Sequence, residues 1–264
     1  MTITDLTKSA LNTMNSGYYF NSKNEKIELS KRTDNVMVFP RQILNLMKPD
    51  LYLKKTLKNI RVLESDTYEC AKKYSENGNT PVVLNFANAF TPGGGFLYGA
   101  TAQEEVLCRR STLFLSINSN KAQELMYKKN QKSKKDLGTI LLSPKVQVFK
   151  DMDYNFLDRP YTVSVITAAA VNLSCLNNST IKAMDITGIM KRKIRNILSL
   201  ADCCGFKNVV LGAWGCGAFG HDPINTALCF RDILIDEGYI KCFDNVDFAI
   251  IGNDNLCAFK NVFK

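Results

Sequence analysis

Residues 93–105 read GGGFLYGATAQEE. Three consecutive glycines, Gly93, Gly94 and Gly95, place bare backbone where no side chain fits and free several N–H groups for a ligand. Gln103, Glu104 and Glu105 follow after a spacer of seven residues. Few reactions need carboxylates beside a backbone cradle. Cleavage of a glycosidic bond in a phosphate-bearing sugar is one: the glycines hold the substrate and a carboxyl group moves the proton. Adjacent helical residues point about 100° apart, so Glu104 and Glu105 should not reach one bond from the same side and should have different tasks. A plainer account exists for both. Thr101-Ala-Gln-Glu104 is a capping-box sequence, and Glu105 is then a solvated first-turn residue.

A second glycine loop carries Gly212, Gly215, Gly217 and Gly220, and Asp222-Pro223 follows it. Asp is a good N-cap and Pro a good first helical residue, so this loop and a helix N-terminus should face one space, suited to a phosphate or pyrophosphate. Two such loops in one chain favour a ligand over tight packing alone. Residues 215–220 also match G-x-G-x-x-G, the dinucleotide fingerprint. That motif requires an acid at the end of the next strand about twenty residues on, and here that strand ends near Gly252, so a nicotinamide-dependent oxidoreductase is a distant alternative. His221 is the single histidine and no C-x-x-C pair occurs. Zinc sites, serine triads and Cys–His catalysis therefore lack material, and neither metal nor cofactor is expected.

Several further words stand in order around these loops: LNFANAFTPGGG, CRRSTLF, SPKVQVFKD, VITAAAVN and GAWGCGAFG. Together with GGG-x7-QEE, over residues 6 to 262, the chain resembles poly(ADP-ribose) glycohydrolases of the compact, bacterial type. The resemblance implies a macrodomain, a three-layer α/β/α fold, that hydrolyses the ribose–ribose bond of poly(ADP-ribose) from the chain end and releases ADP-ribose. It assigns Glu105 as the acid/base and Glu104 to the ribose hydroxyls. Asn88 would contact the ribose next to the scissile bond and Gln103 would lie near the adenine. Gly217, Ala218 and Phe219 match the diphosphate loop, with Phe219 packing on the ligand. Asn172 ends a strand and could meet the ligand, and Phe90 and Tyr98 are candidate aromatic surface or filling. Two residues depart from the pattern: Val171 stands in place of a proline and His221 in place of an asparagine. An exposed residue near the helix cap is the expectation for His221. A glutamate in a first turn has its charged form favoured by the helix dipole, which weakens an acid, while a bound pyrophosphate and excluded water act the other way. Two other readings stay open: removal of single ADP-ribose groups from nucleobase or protein, and a non-catalytic ADP-ribose reader. The partners implied are the polymer or an ADP-ribosylated macromolecule as substrate and ADP-ribose as product, with no membrane and no obligate protein partner.

The elements that must position these residues follow from periodicity. At 264 residues, one α/β domain is expected, with residues 1–58 as a helical and extended N-terminal extension packed on it. Helices are expected over 4–14, 67–74, 101–117, 186–201 and 224–235, and strands over 36–39, 60–63, 81–86, 140–142, 146–149, 161–168, 209–211 and 246–251. Alternation of the two implies a mixed, largely parallel sheet covered by helices on both faces, with both glycine loops at the carboxyl ends of strands. Nine scattered cysteines read as reduced and mostly buried, hence an intracellular setting. The first residues carry no signal sequence, and the longest apolar run is too short to span a bilayer. The net charge of +9 would attract a polyanion only where it is clustered. The basic stretch 121–135 and Lys191, Arg192, Lys193 and Arg195 read as solvated surface. Trp214 reads as core beside its loop, and Asp151 and Asp153 as turn residues.

Overall fold

A computed structural model of the chain describes residues 2–30, 35–49, 51 and 59–264. Its strands are β1 (Tyr18–Phe20), β2 (Lys26–Glu28), β3 (Met37–Phe39), β4 (Asn59–Glu64), β5 (Val82–Phe86), β6 (Ile140–Lys150), β7 (Phe156–Ala168), β8 (Asn208–Leu211) and β9 (Asn245–Ile250). The α-helices are α1 (Ile3–Ser16), α2 (Arg41–Leu44), α3 (Thr67–Glu76), α4 (Gln103–Arg110), α5 (Leu113–Ile117), α6 (Asn120–Ala122), α7 (Lys128–Ser133), α8 (Asn178–Ala183), α9 (Ile186–Cys203), α10 (Pro223–Arg231) and α11 (Asn253–Val262). β1 and β2 form a small hairpin in a stretch that looks like turns in the sequence.

The other seven strands make one sheet in the order β3-β6-β7-β5-β8-β9-β4. Pairings from β7 through β5, β8 and β9 to β4 are parallel, and β3 and β6 add an antiparallel edge. β5 is an apolar run buried on both faces, as a central parallel strand must be. Side-chain alternation splits the core. Val82, Leu84, Val209, Leu211 and Phe248 face α9, α10 and α11, and Val83 and Val210 face the layer holding Tyr68, Phe96, Leu107 and Phe114. The three layers and the mixed sheet are those expected. β3 is an edge strand of the main sheet, and α1 packs Ala10 and Met14 into the second core layer.

Several local expectations change. The helix foreseen over 101–117 is two helices, because Ser111 is extended, bridges Val148 and turns its hydroxyl back onto the Leu107 carbonyl at 2.8 Å. Thr101 caps nothing. The N-cap of α4 is Ala102 without a side-chain bond, since Glu104, the residue that would complete the box, is drawn inward instead. The strands foreseen over 140–142 and 146–149 are one strand with a register shift between Ser143 and Val146, at Pro144, whose missing N–H cannot join the ladder. α11, which places Phe259 against Phe248 and Phe230, was not foreseen. Only four of the nine cysteines are buried and four are exposed, so the expectation of mostly buried thiols fails. Among the described residues no helix is long and apolar enough to cross a membrane.

Candidate active site

The chain leaves β5 at Phe86 and must turn back over the sheet edge. Asn88 makes that turn: its Oδ1 accepts the N–H of Phe90 at 2.8 Å and of Thr91 at 3.0 Å. From outside, Asn130 and Gln131 of α7 donate to the carbonyls of Ala89 and Phe90, each at 2.7 Å. Asn130 is wholly buried and also accepts the N–H of Leu137. Part of the basic stretch that reads as solvated surface is thus the clamp on this loop. The glycines come next. Gly94 has φ +56, and a Cβ there would stand 2.4 Å from Oε1 of Glu105 and 3.2 Å from Oε2 of Glu104. On Gly95 a Cβ would lie 2.6 Å from the Cβ of Ala100. Both clashes show why glycine is needed here. Ala100 is held in turn by the buried Arg109, which donates to its carbonyl and, at 3.1 Å, to Thr7 on α1.

The two carboxylates converge on the space above Gly94, although their Cα–Cβ bonds diverge along the helix. Two methylenes let each side chain bend, and the glycine leaves room, so the expectation that they stay apart is corrected. Their partners still differ. Glu104 Oε2 accepts the N–H of Asn88 at 2.7 Å, and its Oε1 accepts Nδ2 of the buried Asn85 at 3.2 Å. Burial pushes the Glu104 carboxyl up to about 8; the hydrogen bonds from Asn88 and Asn85 oppose this and the neighbouring Glu105 adds to it. Glu105 is buried too, so the solvated first-turn reading fails for it. Its Oε1 accepts the N–H of Gly95 at 2.8 Å, and its Oε2 has no partner. One oxygen of the pair is therefore buried without a partner, and it belongs to Glu105.

Beside them lies a cavity of about 370 Å³ along the carboxyl ends of β4, β9, β8 and β5. Gly215, Gly217, Ala218 and Phe219 form one wall, and Gln103, Ala102 and Phe86 part of the other. A Cβ on Gly217 would meet nothing within 4 Å, so this backbone faces open space. Trp214 is fully buried and donates Nε1–H to the Ala168 carbonyl at 3.1 Å, as core beside the loop should. Asp222 caps α10 through the Asn225 N–H, with Pro223 in the first turn, as expected. Gly220 and Ser174 link this loop to the next: Ser174 donates to Ala218 O at 2.8 Å, and Leu173 N–H to Phe219 O at 3.0 Å. His221 is buried, not exposed. Its Nε2 lies 2.6 Å from the Val171 carbonyl, so the two residues that depart from the family pattern touch each other. Burial lowers the His221 pKa, which favours the neutral ring that donates to this carbonyl.

Each residue singled out in the sequence has a place. Glu104, Glu105, Asn88, Gly94 and Gly95 come together, whereas Gly215, Gly217, Ala218 and Phe219 line the first cavity with Gln103, and Phe219 shares the second with Asn88. Gly93, at φ +71, is packed against Phe114. Gln103 lines the cavity, but its amide is fully engaged: it accepts Phe86 N–H at 2.9 Å and donates to Leu84 O at 2.8 Å and Thr67 Oγ1 at 3.1 Å. It fills in for strand pairing, since β8 pairs with β5 only at Val82 and Val83. Asn172 Oδ1 is buried without a partner. Tyr98 is 87% exposed and Phe90 lines a neighbouring cavity. Sequence reasoning missed Asn85, Asn130, Arg109 and Asp66. Asn85 had a signal, a lone amide inside the apolar run VVLNF. Asp66 is the N-cap of α3, pairs with the buried Arg110 at 2.9 Å, and keeps Oδ2 unpartnered at the cavity's far end. Among the described residues no cluster of potential metal ligands occurs.

Comparison with known proteins gives the family and the fold. Residues 7–151 match the family model of the microbial-type PARG catalytic domain. The structure is similar to poly(ADP-ribose) glycohydrolase from Thermomonospora curvata, with 27% identity, 99% of each chain covered and a TM-score of 0.89. It is similar to the same organism's enzyme bound to the inhibitor ADP-HPD, with 28% identity, 98% of each chain covered and a TM-score of 0.87. It is also similar to the Deinococcus radiodurans glycohydrolase in complex with ADP-ribose, with 31% identity, 88% of this chain and 95% of that one covered, and a TM-score of 0.81. No curated protein sequence matches the chain.

Proposed function

The chain belongs to the microbial-type poly(ADP-ribose) glycohydrolase catalytic-domain family, whose reaction hydrolyses poly(ADP-ribose) and releases ADP-ribose, and from that premise we propose how its residues divide the work. The terminal unit lies in the crevice with its diphosphate against the Gly217-Ala218-Phe219 backbone and its adenosine toward Ile251 and Asp66, whose free Oδ2 can accept a donor such as the adenine amino group. Its second ribose reaches the Asn88 turn. Glu104 orders the Asn88 backbone and reaches the ribose hydroxyls. Glu105 protonates the departing ribose oxygen through Oε2 while Gly95 N–H fixes Oε1, and its carboxylate then activates water for attack at the anomeric carbon. Cleavage proceeds from the chain end, in an intracellular setting. The observation that carries this reading is the buried, unpartnered Oε2 of Glu105 against the glycine cradle, on the helix whose Gln103 lines one cavity with the second glycine loop.

Two variants test it in opposite directions. Glu105→Gln should retain the ADP-ribose-induced rise in Tm yet slow single-turnover polymer hydrolysis about a hundredfold or more, the range of general acid–base catalysis. Gly217→Val should abolish the ADP-ribose shift by filling the space the diphosphate takes, and leave the Tm of the free protein near the parent's, because its Cβ meets nothing. Single-turnover rates for Glu105→Gln within tenfold of the parent would remove this residue from the mechanism.

A further inference from the structure

The crevice does not end at the scissile ribose. A second cavity, of about 510 Å³, continues from Asn88 and Phe219 over the end of β7 and the start of β6. Its wall carries Arg41, Lys134, Lys135, Arg192 and Lys193 and a single acid, Asp136. Lys193 matches that acid at 2.5 Å and also donates to the Ala169 carbonyl at 2.9 Å. Among the described residues no ion pair takes up the other four cations. Lys134 even adopts φ +54 at the end of α7, a conformation that usually selects Gly or Asn. Unmatched charges of one sign around a concavity repel one another and focus a field that suits an anion.

The placement says which anion. The two cavities share Ala170 and Phe219, so they are consecutive along one crevice. A ligand with its diphosphate on the Gly217–Phe219 backbone and its ribose at Asn88 directs its anomeric carbon toward the second cavity. We propose that this cavity is a subsite for the polymer unit on the leaving side of the bond, which enters through its adenosine. That nucleoside lies against Leu176, Met184 and Ile189, and its diphosphate meets Lys134, Lys135 and Arg192. The subsite rests on the reading of the first cavity as the ADP-ribose site. It gives the protein a grip on polymer that a single ADP-ribose group attached elsewhere does not offer.

The test uses Glu105→Gln to keep ligands intact and compares ADP-ribose with a two-unit oligomer at about 0.1 M salt. The oligomer should bind at least tenfold more tightly than ADP-ribose. Adding Lys134→Ser, Lys135→Ser and Arg192→Ser should remove that advantage and leave the ADP-ribose Kd within twofold. Oligomer affinity that survives the triple change overturns the proposal, as does a parallel loss for both ligands. Weaker binding of an ADP-ribosylated acidic peptide, with the oligomer unaffected, would overturn it in favour of an acceptor-protein site. If ADP-ribose itself does not bind, the reading of the first cavity fails, and the monomer arm shows it directly.

Discussion

Glu104 sets the pH dependence. Burial raises its carboxyl to about 8, so it keeps its proton at neutral pH, whereas in the unfolded chain that proton leaves near the ordinary value of about 4.3. The group's contribution to stability is thus fully present below about pH 4 and is lost as pH rises through about 8, because between these values the unfolded state binds fewer protons. The parent's kcat/KM on polymer should fall above about pH 8, where Glu104 loses its proton. In Glu104→Gln that descending limb should disappear from the pH–rate profile and activity should be lower throughout, since the proposed ribose contact is altered. An unchanged limb in the variant would place the titrating group elsewhere. At this scale the sequence was most readable: three glycines and two glutamates at fixed spacing pointed to a glycine cradle with carboxylates beside it, which the structure brings together. The convergence of the two carboxylates was not readable, because it depends on side-chain bending into the space of an absent Cβ.

The elements hold these residues by bonds that cross long stretches of chain. α7 reaches back across the turn at Asn88 through Asn130 and Gln131, and α1 supports the glycine loop through Thr7, whose hydroxyl donates to the Phe96 carbonyl at 3.3 Å. Asn130→Ala should leave the Ala89 carbonyl and Leu137 N–H unpaired and cost about 1–3 kcal/mol, a fall of several degrees in Tm. It should also lower kcat more than it raises KM, because the loosened turn carries the N–H that orders Glu104. Gln131→Ala, at an exposed position, should do much less. A variant with lower Tm but parental kcat would confine α7 to a structural role. Apolar periodicity located the strands and the long α9 helix. It could not show the break at Ser111 or the purpose of α7: a helix broken by a side chain bonding its own backbone looks continuous, and a buried amide in a lysine-rich stretch looks solvated.

For the whole molecule, the parallel strands end at one edge and both glycine loops open there, the crevice in which α/β sheets bind ligands. Some of the cations are neutralised in surface ion pairs such as Arg195 with Glu237, and part of the excess positive charge is gathered around the second cavity. The net charge told of the excess and not of its gathering, since Arg41, Lys134 and Arg192 meet only through the fold. The most direct test is to mix the parent protein, in excess, with purified poly(ADP-ribose) and resolve the products at the earliest times. ADP-ribose should be the first product, accumulating while the remaining chains shorten gradually, and Glu105→Gln should release it about a hundredfold more slowly. No ADP-ribose from the parent, or equal release from both proteins, would contradict the account.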